Sequence, residues 1–329
     1  MTAPFIGYHA AHEQFTASEL VRFAPMAEEA GFDGLWVTDH FHPWQDNQGH
    51  AGHAWITLAA IGQRTQRLLL GTGVTCPTYR FHPAEVAHGF ATLAGLHPGR
   101  IFLGVGIGEA INEYPFAGYG PYRERAARLV EAIALIRQLW SGEWVDFEGR
   151  YFRAKGAKLY DRPPQPIPIY VAAFGPKSAR MAGEHGDGWV TNAEVLVWLP
   201  HCYEAFREGA RAAGKDPDRM PRLAELIVIA GDRAEALEAA RFWQFAAIPF
   251  EALSIPDPRE VQRLAEERSS PEQIVPRWVV SPEPEAHIEA IRWLAEHGAT
   301  HVFIHAPQPD QPRVIRFYGE HVIPAVKRG

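Results

Sequence analysis

The chain has 329 residues, 47% of them hydrophobic and 22% charged, which is enough apolar material for a large core and lies outside the disordered and fibrous classes. A net charge of −7, with only five lysines and no basic run, argues against a nucleic-acid partner, because neutralising a phosphate backbone needs clustered positive charge. No apolar run is long enough to span a bilayer, and the opening MTAPFIGYHA lacks the basic and apolar regions of a signal peptide, so no membrane association and a cytoplasmic location are expected.

In chain order, short segments rich in β-branched and aromatic residues alternate with longer amphipathic ones, the pattern of repeated βα units. Eight strands are predicted: 4–8, 34–40, 67–75, 100–106, 168–174, 188–192, 222–230 and 300–306. Eight is the number that closes a barrel, and the expected fold is an α/β protein, a (β/α)8 TIM barrel with insertions. Residues 1–329 read as a single barrel domain with insertions at about 142–166, a small β excursion, and 232–281, which is placed to shape a pocket. Cys76 and Cys202 lie far apart and outside any metal-finger spacing, so each reads as a small buried hydrophobe.

In such a barrel, functional side chains gather where strands end. The second predicted strand runs into Asp39, His40, Phe41, His42, Pro43 and Trp44. The third runs into Gly73, Val74, Thr75 and Cys76, and the fourth into Gly106, Ile107, Gly108, Glu109 and Asn112. His40 and His42, with His50 and His53 nearby, could suggest a metal, but the fifth to seventh strands end without His or carboxylate, and no metal is expected. GVGIGE lacks the G-x-G-x-x-G spacing of a dinucleotide fingerprint; its glycines let a flat ring or a phosphate approach bare backbone, or simply make a tight turn. FGPKSARMAG places Gly175, Lys177 and Ser178 at a helix start, which suits an anion and equally an ordinary cap.

Together these motifs resemble the luciferase-like barrel superfamily, and specifically its branch working with the deazaflavin coenzyme F420. TDHFHPW, GTGVTCPTYRFHP, LGVGIGEAINE, AAFGPKSARMAGEHGDGW and PRWVV look like segments of F420-dependent glucose-6-phosphate dehydrogenases and of the F420-dependent secondary alcohol dehydrogenase. The resemblance implies coenzyme F420 (8-hydroxy-5-deazaflavin) in the barrel mouth, facing His40, Trp44 and Glu109 as catalytic residues. It implies cofactor contacts from Asp39, Val74, Cys76, Ile107, Gly108, Asn112, Phe174, Gly175, Lys177 and Ser178. A bulge with a non-prolyl cis peptide would fall at Gly73 and Val74, and Cys76 stands where the sugar-phosphate enzymes carry Thr.

For the substrate, the resemblance points to Asn192, Val195, Ala252 and Arg277. Sugar-phosphate enzymes hold the phosphate with two lysines and an arginine; here Arg277 matches the arginine, while Val195 and Ala252 stand at the lysine positions. Each charge-assisted hydrogen bond contributes roughly 1.5–3 kcal/mol, so the loss disfavours a phosphorylated sugar. The expected function is hydride transfer between a small secondary alcohol and C5 of the deazaflavin. His40 would accept the hydroxyl proton, Trp44 would position the oxygen, and Glu109 would share a proton with the ring system. Sugar-6-phosphate oxidation, an FMN-dependent monooxygenase and a non-catalytic deazaflavin carrier are the alternatives. A homodimer acting on a small-molecule substrate is also implied.

Overall fold

Side chains alternate along each barrel strand between two environments, and that alternation builds two separate cores. The computed structural model describes residues 3–328. Numbering only the barrel strands, these are β1 (Phe5–Ala10), β2 (Gly34–Val37), β3 (Leu69–Thr72), β4 (Ile101–Val105), β5 (Ile169–Ala172), β6 (Gly188–Asn192), β7 (Arg222–Ala230) and β8 (His301–His305). Each pairs in parallel with the next, and β8 pairs with β1, which closes the ring.

Outward residues such as Ile6, Tyr8 and Ala10 pack with Leu20, Phe23 and Ala24 of the helix Ala17–Glu29, part of the larger core between barrel and helices. Thr16 and Glu19 begin that helix with a reciprocal capping box. The inward core is small and aromatic: Trp36, Phe102 and Phe303 with Phe5, Tyr170, Val190 and Leu223. Its centre is the face-to-face pair Trp36 and Phe303, with ring centroids 3.7 Å apart. Rings of this size leave no room for side chains on adjacent strands. A Cβ on Gly7 would meet the Phe303 ring, and one on Gly71 would meet Phe102.

Five strands are shorter than the sequence suggests. Residues 38–40, 73–74 and 173–174 lie beyond the strand ends, and Thr75 returns to make a single parallel bridge with Val105. Insertion 142–166 is an antiparallel hairpin, Val145–Glu148 with Arg153–Ala157. Insertion 232–281 contains the helices Arg233–Ala240 and Pro258–Arg268 and a strand the sequence reading missed, Val279–Ser281, which extends the sheet beside the end of β7. A cavity of about 220 Å³ lies at the N-terminal end of the barrel, between the aromatic layer and the turn at 164–168. No helix among the described residues is long and apolar enough to cross a membrane.

Replacing Phe303, which has no exposed surface, by Ala should destabilise the fold by about 3–5 kcal/mol. Urea unfolding measures this, and a loss below about 1 kcal/mol would show that the interior collapses around the gap.

Candidate active site

The loop after β2 and the short helix after β4 meet at one buried amide. Asn112, in the turn Ala110–Glu113, accepts the Phe41 N–H at 2.8 Å through Oδ1. That fixes its Nδ2 as the donor, to His40 Nδ1 at 3.0 Å and to Glu109 Oε2 at 3.2 Å. A neutral His40 therefore carries its proton on Nε2, which lies 3.4 Å from Glu13 Oε1. The Thr38 hydroxyl donates to the other Glu13 oxygen at 2.6 Å. Burial acts to raise Glu13, but His40, Thr38 and His9 outweigh it and hold the carboxyl below its ordinary range. Trp44 lies 5.3 Å from the His40 ring and stacks at 4.7 Å on Phe245, so the insertion builds one wall of the mouth. The insertion is tied down by Gln45, whose Oε1 accepts the Phe245 N–H at 2.7 Å.

The other residues singled out from sequence fall into distinct settings. His40, Trp44, Glu109 and Asn112 come together, with Val74 and Ile107 half-buried at the neighbouring strand ends. The peptide between Gly73 and Val74 is cis. Gly108 adopts φ +84°, a conformation that favours glycine, and its carbonyl accepts from Arg125 at 2.8 Å. Phe174 is 56% exposed. Gly175 caps the helix Pro176–His185, the Ser178 hydroxyl closes the cap at 2.9 Å, and Lys177 is exposed.

Asp39 and Cys76 are both enclosed in the wall. Asp39 is engaged by Arg80 at 2.9 Å and by the Thr75 hydroxyl at 2.5 Å, which leaves its carboxylate committed to the protein. Burial raises the Cys76 thiol well above its ordinary value, so it stays protonated and packs as a small apolar group. On the opposite side, the Asn192 side chain is spent capping the helix Ala193–Trp198 through the Val195 N–H at 2.9 Å. Ala252 has no exposed surface and packs among Ile111, Ile248, Val261 and Ala265, in a cluster that Trp44 and Phe245 of the mouth also join. Arg277 is bound in fork fashion by Glu194, with Nε and Nη2 each 2.6 Å from a carboxylate oxygen, and donates a third bond to the Ala246 carbonyl.

Sequence reasoning missed Glu13 and an inward group beneath it. His9 of β1, Glu225 of β7 and His305 of β8 converge, with His305 Nδ1 2.7 Å and His9 Nδ1 3.4 Å from Glu225 Oε1. Burial, reinforced by His305, lowers His9 to about 3 and keeps it neutral at pH 7. The carboxylate lies inside β7 rather than at its end, where the sequence reading looked for ligands. The available signal was alternation: His9 follows Phe5 and Gly7 on the inward face, and Glu225 follows Leu223.

With this geometry in view, comparison with known proteins becomes decisive. The family model described as luciferase-like monooxygenase matches residues 1–301. The chain belongs to the luciferase-like monooxygenase family. Among family members, the F420-dependent hydroxymycolic acid dehydrogenase of Mycobacterium tuberculosis is 48% identical over 324 residues, 98% of this chain and 88% of its own. The F420-dependent glucose-6-phosphate dehydrogenase of Nakamurella multipartita is 44% identical over 334 residues, covering 99% of this chain and 98% of its own. A solved structure, an F420-dependent secondary alcohol dehydrogenase in complex with an F420-acetone adduct, superposes with TM-score 0.90 at 37% identity and 99% coverage of both chains.

Glu113, beside this luciferase-like mouth, gives a pH test. Its side chain is buried, Oε2 accepts the Arg80 N–H at 2.6 Å, Oε1 has no partner, and burial raises its pKa to about 7. The unfolded carboxyl loses its proton near 4.5, so the folded chain binds more protons between about 4.5 and 7 and stability falls as pH rises through that window. Glu113→Gln should therefore be more stable than wild type at pH 8.5, by up to about 3 kcal/mol, and converge with it toward pH 4.5. Thermal melts across that range check the slope; parallel curves would mean that the carboxyl is not protonated in the fold.

Proposed function

We propose that the chain is a coenzyme F420-dependent dehydrogenase that oxidises the CH–OH group of a neutral secondary alcohol. F420 dependence and action on a CH–OH donor rest on relatives that share the whole barrel and carry those activities in their names. The mouth fits a flat polar ring system. Exposed Phe174 and Phe41 offer apolar faces, and Trp36 Nε1, Thr191 Oγ1 and Trp243 Nε1 are buried polar atoms without partners. At the far end, Lys177 and the start of the helix Pro176–His185 would hold an anionic tail. When bound, the deazaflavin accepts hydride at C5.

The chain's own residues supply the proton chemistry. The hydroxyl would approach His40 Nδ1 in place of the Asn112 amide, which already donates to Glu109. His40 takes the hydroxyl proton as hydride leaves the carbinol carbon, and the ionised Glu13 beyond Nε2 stabilises the imidazolium. Trp44 closes the substrate side with Phe245. Glu109, held by the Asn112 amide at 3.2 Å, would share a proton with the reduced ring system.

The observation that carries the choice of a neutral alcohol is the Arg277–Glu194 fork. An exposed pair of this kind adds little to stability. Its effect is on ligands: a phosphate dianion reaching Arg277 must displace a carboxylate or sit against it, with Val195 and Ala252 where helper cations would be needed. The relatives named for glucose 6-phosphate keep that alternative in the test.

His40→Ala should lower kcat by about 10²–10⁴-fold with F420 affinity nearly intact by fluorescence titration, and Glu13→Gln should lower kcat by a smaller factor; loss of F420 binding in His40→Ala would sink the base assignment. With oxidised F420, bleaching of the deazaflavin absorbance is expected with 2-propanol and not with glucose 6-phosphate. Glu194→Gln should gain measurable turnover of the sugar phosphate. Bleaching by glucose 6-phosphate alone in the wild type would reverse the substrate reading.

A further inference from the structure

Beneath His40, three strands that are adjacent in the ring, β7, β8 and β1, each send one metal-ligating side chain inward. The donor atoms of His9, Glu225 and His305 lie within 4.8 Å of one another. The two imidazoles are stacked nearly parallel, centroids 4.1 Å apart and planes 9° from coplanar, so both Nδ1 atoms aim at the same carboxylate oxygen. Trp36 packs edge-on against His9 and Trp243 edge-on against His305, which fixes both ring planes. Both rings are almost fully buried, yet His9 has no hydrogen-bonded nitrogen and His305 only one. A buried imidazole nitrogen left without a partner costs about 1–3 kcal/mol, and two in van der Waals contact are unusual in a core. Among the described residues, no lysine or arginine pairs with Glu225.

We propose that His9, Glu225 and His305 form a binding site for one divalent transition-metal ion in the floor of the barrel mouth. The separations between the donors already approach those of a ligand set gathered round such an ion, where bonds of about 2.0–2.2 Å place neighbouring donors roughly 3 Å apart. Two imidazoles and one carboxylate select zinc, cobalt(II), iron(II) or nickel over magnesium and calcium, which require mostly oxygen. Glu225 keeps 27% of its side-chain surface accessible and does not line the N-terminal cavity, so its open edge faces the C-terminal mouth. An ion held here has its remaining positions on that side, open to water or to a hydroxyl oxygen, and offsets the negative charge of Glu13 and Glu225 under the reacting residues.

The site does not depend on the identity of the substrate or the cofactor, and its test needs neither. The full chain, stripped with EDTA and dialysed, is titrated with Co²⁺ and then with Zn²⁺ and Mg²⁺ as competitors. Expected are one Co²⁺ per chain with visible d–d absorption, displacement by Zn²⁺ and none by Mg²⁺. Glu225→Gln and His305→Gln should each weaken binding by about 100-fold or more, whereas His321→Ala, far out on the surface, leaves it unchanged. If a variant does not fold, the wild-type cobalt adduct still decides through its hyperfine-shifted imidazole N–H signals, of which two are expected. No saturable uptake, undiminished affinity in both variants, or a number of shifted imidazoles other than two would overturn the site and leave a stacked histidine pair beside Glu225.

Discussion

The interior of an eight-stranded barrel is only wide enough for a few large side chains, and here it is filled by Trp36 stacked on Phe303 with Phe102, Tyr170 and Phe5 around them. That plug divides the molecule. Below it lies a cavity walled by aromatic and proline residues, with little that could do chemistry. Above it the inward positions include His9, Glu225, His305 and Gly106, beside the strand ends that carry Asp39 and His40. The glycines belong to the same constraint, since Gly7 and Gly71 exist where a neighbouring ring occupies the space of a Cβ. Chemistry at the C-terminal mouth follows from a floor that is sealed by its own packing.

Within the mouth, five carboxylates of similar intrinsic acidity are set to different tasks by their surroundings. Asp39 is neutralised by Arg80 and joins the wall. Glu113 has one backbone donor and deep burial, and is held toward the protonated form. Glu13 has His40 and Thr38 and stays ionised. Glu225 is pushed up by burial but is held well below its ordinary range by the His305 hydrogen bond and the two imidazoles. Glu109 shares the Asn112 amide with His40, so a change of hydrogen bonding at one reaches the other through a single side chain. Asn112 earns its burial this way: it sets the tautomer of His40 and joins the loops after β2 and β4.

The strands were legible because their alternation and spacing are properties of local sequence. So were the motifs at the ends of β2 and β4, which protrude from the periodic pattern as polar residues where an apolar run stops. Three things were hidden. The convergence of His9, Glu225 and His305 depends on strands far apart in sequence, 80 residues between Glu225 and His305 and more from either to His9, and each looks alone like a lone polar residue in a strand. The partner of Arg277 is Glu194, across 83 positions, and no local rule pairs them. Strand Val279–Ser281 is three residues long, below the length at which periodicity says anything. Ala252 shows the converse limit, a position transferred by alignment across an insertion whose helices pack it into a small core of their own.

The division of labour between loops explains how substrates can diverge on one scaffold. His40, Glu109 and Asn112 stand on loops after β2 and β4, with Phe174 and Lys177 after β5, whereas Arg277, Trp243 and Phe245 come from the insertion after β7 and Glu194 from the helix after β6. The two groups meet where Trp44 stacks on Phe245, where Gln45 and Asn47 bond to Phe245, Arg241 and Gln262, and where the Ala110 N–H donates to the Leu253 carbonyl. Substitutions at exposed positions such as Arg277 and Glu194 can change the charge of that side without touching the hydrogen bonds of Asn112. Relatives at 48% and 44% identity carry names that specify a hydroxymycolic acid and a sugar phosphate, a difference too large for graded tuning of one pocket wall. A charge pair such as Arg277–Glu194 offers a discrete alternative, because removing a single carboxylate converts a neutral patch into a cationic one without moving the backbone.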